Sequence, residues 1–169
     1  MVRLYRRRSA GWEYWECWPE PPGGLFVHRG RLGERGVAER VPPGFLGAEE
    51  RLAALADRER RRGFREPDPH EMGLVLVHWP APLRALRPRA EAWLHDVLGW
   101  TGLGAYVGFE DTAGLTIMGE AVDPERAVEV LSADLGRSGL PEDAVIAVSA
   151  DEDVIHWPPT RRGEPFDGP

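Results

Sequence analysis

Residues 26–36, FVHRGRLGERG, have the composition of an anion-binding segment. This composition comes from three arginines and three glycines, Arg29, Arg31, Arg35, Gly30, Gly33 and Gly36. Glycine allows a backbone to approach a ligand closely, and the planar guanidinium group of arginine matches phosphates and carboxylates. The segment therefore predicts a turn that holds a phosphate, with Arg6 and its basic neighbours in the first strand extending the positive surface.

A second interpretation of the same residues is a tight hairpin connection. Its glycines would only supply positive φ angles, and its arginines would pair with Glu34 and Glu39 in solvent. The upstream aromatic residues present a similar choice, because they can stack on bases or form a core. These residues are Trp12, Tyr14, Trp15 and Trp18. The residue types alone leave both choices open.

Other kinds of site are not indicated by the sequence. The chain contains no lysine, which excludes a P-loop, and its five histidines have neither an i, i+4 pair nor metal-ligand spacing. The single cysteine, Cys17, lies within a predicted strand, where burial raises the pKa of a thiol and makes it inert. We therefore expect no metal site, no cofactor and no catalytic activity. The triplet His-Trp-Pro, at 78–80 and 156–158, fits either packing at two strand ends or a shared histidine site.

The formal net charge of −7 is unevenly distributed along the chain. Residues 1–68 hold 14 arginines and 11 acidic residues, whereas residues 69–169 hold 7 arginines and 17 acidic residues. This asymmetry indicates two domains, of which only the first has a charge suited to nucleic acid. We expect no signal peptide and no membrane span, because no sufficiently long apolar run is present, and we expect a cytoplasmic location.

The first part of the chain alternates apolar and polar residues like an antiparallel sheet. The predicted strands are residues 2–7, 12–18, 25–28 and 37–41. A helix is expected at about 48–62, because glutamates occupy its first turn and arginines its last, and Gly63 would end it.

After a predicted linker at 67–73, the pattern changes to strand, helix, strand, strand, helix, strand. The predicted elements are a strand at 74–79, a helix from Leu83 to Gly99, strands at 105–109 and 115–122 joined by a hairpin at 111–114, a helix capped by Asp123 with Pro124 in its first turn, and a strand at 144–149. This order predicts a ferredoxin-like sandwich over residues 74–158, with helices on one face of an antiparallel sheet, and hence an α+β protein. A turn at 151–153 and a strand at 154–157 follow, and residues 159–169 are predicted to be a disordered tail.

Residues 1–66 resemble the WGR domain, a small module of antiparallel strands and one helix. The signature of that family is Trp-Gly-Arg, an aliphatic residue and Gly, and residues 30–33, Gly-Arg-Leu-Gly, match its last four positions. The aromatic strand before the signature and the Gly63-Phe64 pair after the helix also match. Arg29 stands where the family carries tryptophan. The second half is similar to a small α/β segment of uncharacterised bacterial proteins, through VLGWTG at 97–102 and VDPE at 122–125.

The WGR resemblance implies DNA binding, because the signature tryptophan and arginine contact DNA in that family, notably in poly(ADP-ribose) polymerases. Arg31 occupies the position of the signature arginine. Arg29 lacks an indole surface, although a guanidinium group can also stack on a base. We therefore expect a non-enzymatic nucleic-acid-binding adaptor whose acidic second domain contacts a protein partner. The alternative is a protein-interaction or inhibitor protein that acts through its acidic surface and exposed aromatics.

Overall fold

The computed structural model describes residues 1–80, 85–112, 114–149 and 154–166. The chain divides into two compact units. The N-terminal unit comprises Met1–Asp68 together with Trp100–Gly102, and the C-terminal unit comprises Pro69–Gly99 and Leu103–Pro169. Three residues from the middle of the chain thus belong with the first unit, which the sequence did not indicate.

The N-terminal unit contains a four-stranded antiparallel sheet with strand order β1-β2-β3-β4. The strands are β1 (Val2–Arg8), β2 (Gly11–Glu20), β3 (Gly24–Arg31) and β4 (Val37–Val41). All four predicted strands are present. The largest difference is in β3, which extends three residues beyond the predicted end.

Helix α1 (Ala48–Arg61) follows the sheet and covers part of one face. The shared core consists of Leu4, Trp15, Cys17, Leu25, Val27, Leu52, Ala56 and Phe64. Gly63 has a φ of +89°, a conformation that ends a helix and favours glycine, as predicted. Beyond it, backbone hydrogen bonds of 2.7 and 2.9 Å join Arg65 to Tyr5 at the outer edge of β1. These bonds return the chain to the sheet and fix Phe64 beside it.

The C-terminal unit contains a five-stranded sheet with order β6-β7-β5-β8-β9, in which every neighbouring pair is antiparallel. The strands are β5 (Gly73–Trp79), β6 (Gly104–Glu110), β7 (Leu115–Ala121), β8 (Val145–Ser149) and β9 (Val154–Trp157). Two sheets and their helices confirm the predicted α+β class in the described part of the chain.

Helices α2 (Arg87–Trp100) and α3 (Pro124–Ser138) complete the C-terminal unit. The predicted cap of α3 is confirmed, because the Asp123 carboxylate accepts a hydrogen bond of 3.0 Å from the Arg126 backbone N–H. The predicted end of α2 at Gly99 was wrong, since the helix continues through it to Trp100. The indole of Trp93 donates a 3.0 Å hydrogen bond to Asp134, which joins the two helices.

Several predictions fall on residues outside the described ranges: Leu83 in the helix, part of the hairpin at 111–114, and the turn at 151–153. Residues 159–166, in the segment predicted to be disordered, contain a 3-10 turn at Pro159–Arg161, and Ile155 exchanges backbone hydrogen bonds with Gly163 and Glu164. In the described part of the chain, no helix has the length and apolar character needed to cross a bilayer.

Candidate nucleic-acid interface

The predicted anion-binding turn is mostly a strand. Arg29, Gly30 and Arg31 are the last residues of β3, and only Gly33, with a φ of +83°, lies in the turn beyond. The prediction that Arg29 to Arg31 belong to a turn was wrong because β2 is ten residues long and pairs with β3 as far as Arg31, opposite Glu13. An Arg-Gly-Arg triplet has turn-like composition, but the partner strand determines its conformation.

Strand geometry places the two arginines on the same face of the sheet. Successive strand residues point to opposite faces, so Arg29 and Arg31 share one face while Gly30 lies on the other. Their register partners on β2 are Trp15 and Glu13. On this face, the two arginines line a cleft of about 380 Å³, whose other wall includes Glu59 and Arg62 at the end of α1. We call this the arginine cleft.

Two of the arginines in the arginine cleft are bound to acidic residues of the chain. The guanidinium group of Arg6 donates hydrogen bonds of 2.5 and 3.0 Å to Glu13 and one of 2.9 Å to the carbonyl of Arg62, and it lies 4.3 Å from the centre of the Phe64 ring. The Arg6 hydrogen bond is the largest cause that lowers the pKa of Glu13. Arg62 in turn donates to the buried carboxylate of Glu59 at 3.1 Å. Arg6, a predicted ligand contact, therefore supports the cleft wall.

The other two arginines of the cleft remain accessible. Arg29 lies 3.7 Å from Glu39, with both side chains more than half exposed, so water screens this pair strongly. Arg31 is exposed, and its guanidinium group makes no ion pair with any residue in the described ranges. The predicted site residue Arg35 is exposed in the turn after β3 and does not line the cleft. The structure thus brings together Arg6, Arg29 and Arg31.

The two predicted site glycines have structural roles. A Cβ atom on Gly30 would lie 2.8 Å from the Cα of Gly36 and 3.0 Å from the hydroxyl of Tyr14, so only glycine fits there without movement. Gly33 adopts a positive φ in a turn closed by the hydrogen bond from the Glu34 N–H to the Arg31 carbonyl.

Two of the four aromatic residues of β2 are buried, and Trp12 and Trp18 are partly exposed. Tyr14 and Trp15 are 1% and 2% exposed, so neither can stack on a base in this conformation. Trp18 is half-buried and stacks on Phe26 with ring centroids 4.6 Å apart. Buried Tyr14 and Trp15 therefore offer no stacking surface, whereas Trp12 is partly exposed and lies 5.8 Å from the guanidinium group of Arg7.

A buried polar chain lies on the opposite face of the sheet, and the sequence analysis did not identify it. Glu16 and His28 are 2% and 1% exposed. Glu16 accepts a 3.1 Å hydrogen bond from Nδ1 of His28 and forms an ion pair with Arg3, while Nε2 of His28 lies 3.0 Å from the Tyr14 hydroxyl. Burial raises the pKa of Tyr14 to about 12. The sequence signal for this chain is the alignment of Arg3, Glu16 and His28 on three neighbouring strands. This alignment can be recognised only when the strand register is known.

Other candidate chemistry is not supported by the geometry. Cys17 is fully buried, and burial raises the pKa of its thiol to about 11, in the predicted direction. Among the described residues, no three His, Cys, Asp or Glu side chains form a group that could hold a metal ion.

The two His-Trp-Pro copies have different surroundings. His78 lies 2.9 Å from the hydroxyl of Thr116, and burial lowers its pKa, whereas His156 lines a cleft beside α3. Trp79 is fully buried and donates a 2.9 Å hydrogen bond to the carbonyl of Pro141, as expected for packing at a strand end.

Comparison of the chain with protein-family models, with curated proteins and with solved structures finds no match in any of the three.

Proposed function

We propose that the N-terminal unit is a non-enzymatic nucleic-acid-binding module that contacts phosphates through Arg29 and Arg31. The single observation that carries this proposal is the unpaired, exposed guanidinium group of Arg31, on the same strand face as the weakly paired Arg29. Two guanidinium groups at alternate strand positions can each donate bidentate hydrogen bonds to a phosphate backbone.

The charges around the cleft support an anionic ligand. Glu13 and Glu59 are already bound by Arg6 and Arg62, so neither carboxylate is free to repel a phosphate. Residues 1–68 carry an excess of three arginines over acidic residues, which favours an anion locally although the net charge of the chain is −7. Because the aromatic residues Tyr14 and Trp15 are buried, we propose phosphate contacts that depend on salt and little on sequence.

The architecture is compatible with the two proposed folds, a WGR-like module and a ferredoxin-like sandwich. Four antiparallel strands followed by one helix and Gly63-Phe64 fit a WGR-like module. The order β6-β7-β5-β8, with a helix after β5 and another after β7, is the order we propose for a ferredoxin-like sandwich in the C-terminal unit. That unit carries most of the acidic residues, and we propose that it contacts a protein partner.

Fluorescence polarisation with labelled intact duplex, nicked duplex and single-stranded DNA tests the binding proposal at salt concentrations of about 50 to 300 mM. We expect Arg31→Ala to weaken binding about tenfold, the effect of one charge-assisted hydrogen bond, and to reduce the salt slope by about one. Arg61→Ala is the matched control, because Arg61 is exposed on α1 and outside the cleft. Equal binding by the wild type and Arg31→Ala would refute the proposal.

A second candidate function, protein interaction, is favoured by the loop between β4 and α1. Phe45 is fully exposed and Leu46 is half exposed, although both are large and apolar. Arg51 holds this loop by donating hydrogen bonds to the carbonyls of Pro42, at 2.6 Å, and Gly23, at 3.3 Å. Recovery of a stoichiometric partner by the wild type but not by Phe45→Ser, with no DNA binding, would favour this function.

A further inference from the structure

A second cleft, of about 440 Å³, lies within the C-terminal unit. One wall is a face of α3 and includes Glu125, Val128 and Glu129. The other wall is the end of β9 and the following 3-10 turn, and it includes Trp157 and Arg162. We call this the α3 cleft. No part of the proposed nucleic-acid interface belongs to it.

The position of the acidic wall follows from the sequence of α3. The Asp123 cap fixes the start of the helix, so Glu125 lies in its first turn. Glu125, Val128 and Glu129 have i, i+3 and i+4 spacing and therefore share one face. The buried residues of α3 are Ala127, Val128, Leu131 and Leu135, so Val128 lies at the border between the core and the cleft.

The α3 cleft contains charges of both signs that do not neutralise each other. Among the described residues, neither the carboxylate of Glu125 nor the guanidinium group of Arg162 has an ion-pair partner. Glu129 pairs with Arg126 at 2.6 Å on the exposed side of the helix, which leaves its second oxygen available. A cation and two carboxylates thus line one cavity without direct contact.

Trp157 adds an apolar ring to the wall of the same cleft. Its indole N–H has almost no accessible surface and no acceptor in the described part of the structure. A ligand in the cleft would therefore contact the ring of Trp157 and not its N–H.

We propose that the α3 cleft binds a small zwitterion with an apolar body, of the chemical class of a free aliphatic α-amino acid. Its ammonium group would pair with Glu125 and Glu129, and its carboxylate with Arg162. Its apolar body would lie against Val128 and the Trp157 ring. This assignment explains why opposite charges are held apart across a cavity rather than joined, as in the ion pair of Arg161 with Glu164 nearby.

Calorimetric titration of the full chain with four leucine probes tests the charge requirement without any substitution. Leucine carries both charges, leucinamide only the cation, N-acetylleucine only the anion, and N-acetylleucinamide neither. We expect leucine to bind at least fivefold more tightly than either singly charged probe. Equal affinity for leucine and either singly charged probe would overturn the proposal. The absence of saturation by leucine up to about 50 mM would also overturn it, since the binding free energy would then be weaker than about 2 kcal/mol.

Two variants assign the charges to their walls. Glu125→Gln should weaken the binding of leucine and leucinamide at least threefold and leave the binding of N-acetylleucine unchanged. Arg162→Gln should weaken the binding of N-acetylleucine at least threefold and leave the binding of leucinamide unchanged. The matched controls are Glu142→Gln and Arg161→Gln, at exposed residues that do not line the cleft. Leucine binding that neither variant weakens would place the ligand elsewhere and overturn the assignment.

Discussion

The two faces of the N-terminal sheet use the same strands and similar residues, yet their charges have opposite surroundings. On one face, which we call the cleft face, Glu13, Arg29 and Arg31 open to solvent, and Arg31 has no ion-pair partner in the described part of the chain. On the other, which we call the buried face, Glu16 and His28 are almost fully enclosed and bonded to each other.

The difference shows how to separate structural from functional charges in this unit. A buried charge is tolerated only when it is paired, so the groups of the buried face stabilise one arrangement of the strands. An exposed charge without a partner adds little to folding, which leaves Arg31 available for the binding role that we propose. The following predictions test this contrast, beginning with the largest expected effect.

Glu16→Ala should lower the free energy of unfolding by about 3 kcal/mol, because it leaves Arg3 and His28 without their acceptor in a buried environment. The matched change on the cleft face, Glu13→Ala, should cost less than about 1 kcal/mol, since the carboxylate of Glu13 is one-third exposed. Urea denaturation followed by tryptophan fluorescence measures both. Equal losses would mean that the two faces do not differ as described.

Gly30→Ala should lower the free energy of unfolding by about 2 kcal/mol, because the new methyl group would overlap Gly36 and the hydroxyl of Tyr14. Gly47→Ala is the control, since nothing lies within 4 Å of a Cβ atom at that position. The same denaturation assay applies. A stable Gly30→Ala protein with weakened DNA binding would instead return this glycine to the role of ligand contact.

Arg6→Ala should destabilise the fold by about 1 kcal/mol, because it removes the Glu13 ion pair and the Phe64 contact. Arg31→Ala should change the thermal midpoint little, because no described residue pairs with its guanidinium group. Differential scanning calorimetry compares the two variants. A larger loss from Arg31→Ala than from Arg6→Ala would reverse their assigned roles.

The smallest expected effect is a pH dependence at Glu13. Its pKa is lower in the folded state than in the unfolded chain, chiefly because of the Arg6 hydrogen bond. The folded protein therefore binds fewer protons, and the stability from this group is present above the unfolded pKa of about 4.3 and is lost as the pH falls through the folded value. The difference in urea midpoint between the wild type and Glu13→Gln should therefore become smaller as the pH falls below about 4.3. A difference that grows in acid would show the opposite sign.

Much of the secondary structure was predictable because it depends on local patterns. Alternation identified all four N-terminal strands, and Asp123-Pro124 identified the start of α3. The predictions failed where a partner strand or helix outweighed composition. The Arg29–Arg31 segment pairs with β2 and is extended, and Gly99 continues α2 although glycine commonly ends helices.

The candidate site was only partly predictable for a related reason. Residue type identified Arg29 and Arg31 as candidate anion contacts, but the sequence placed them in a turn, so their shared face follows only from the pairing of β3 with β2. The binding of Arg6 to Glu13 and Phe64 depends on how β1, β2 and the end of α1 meet, and the pairing of Glu16 with His28 depends on strand register.

By itself, the sequence determined the α+β class, the positions of the strands and α1, and the division of charge between the halves. All of these follow from local periodicity and composition. Only the tertiary structure decided which arginines are bound by carboxylates, which polar groups are buried, and that Gly30 serves packing against Tyr14. Those outcomes depend on contacts between residues distant in the chain, whose registers and distances no local pattern encodes.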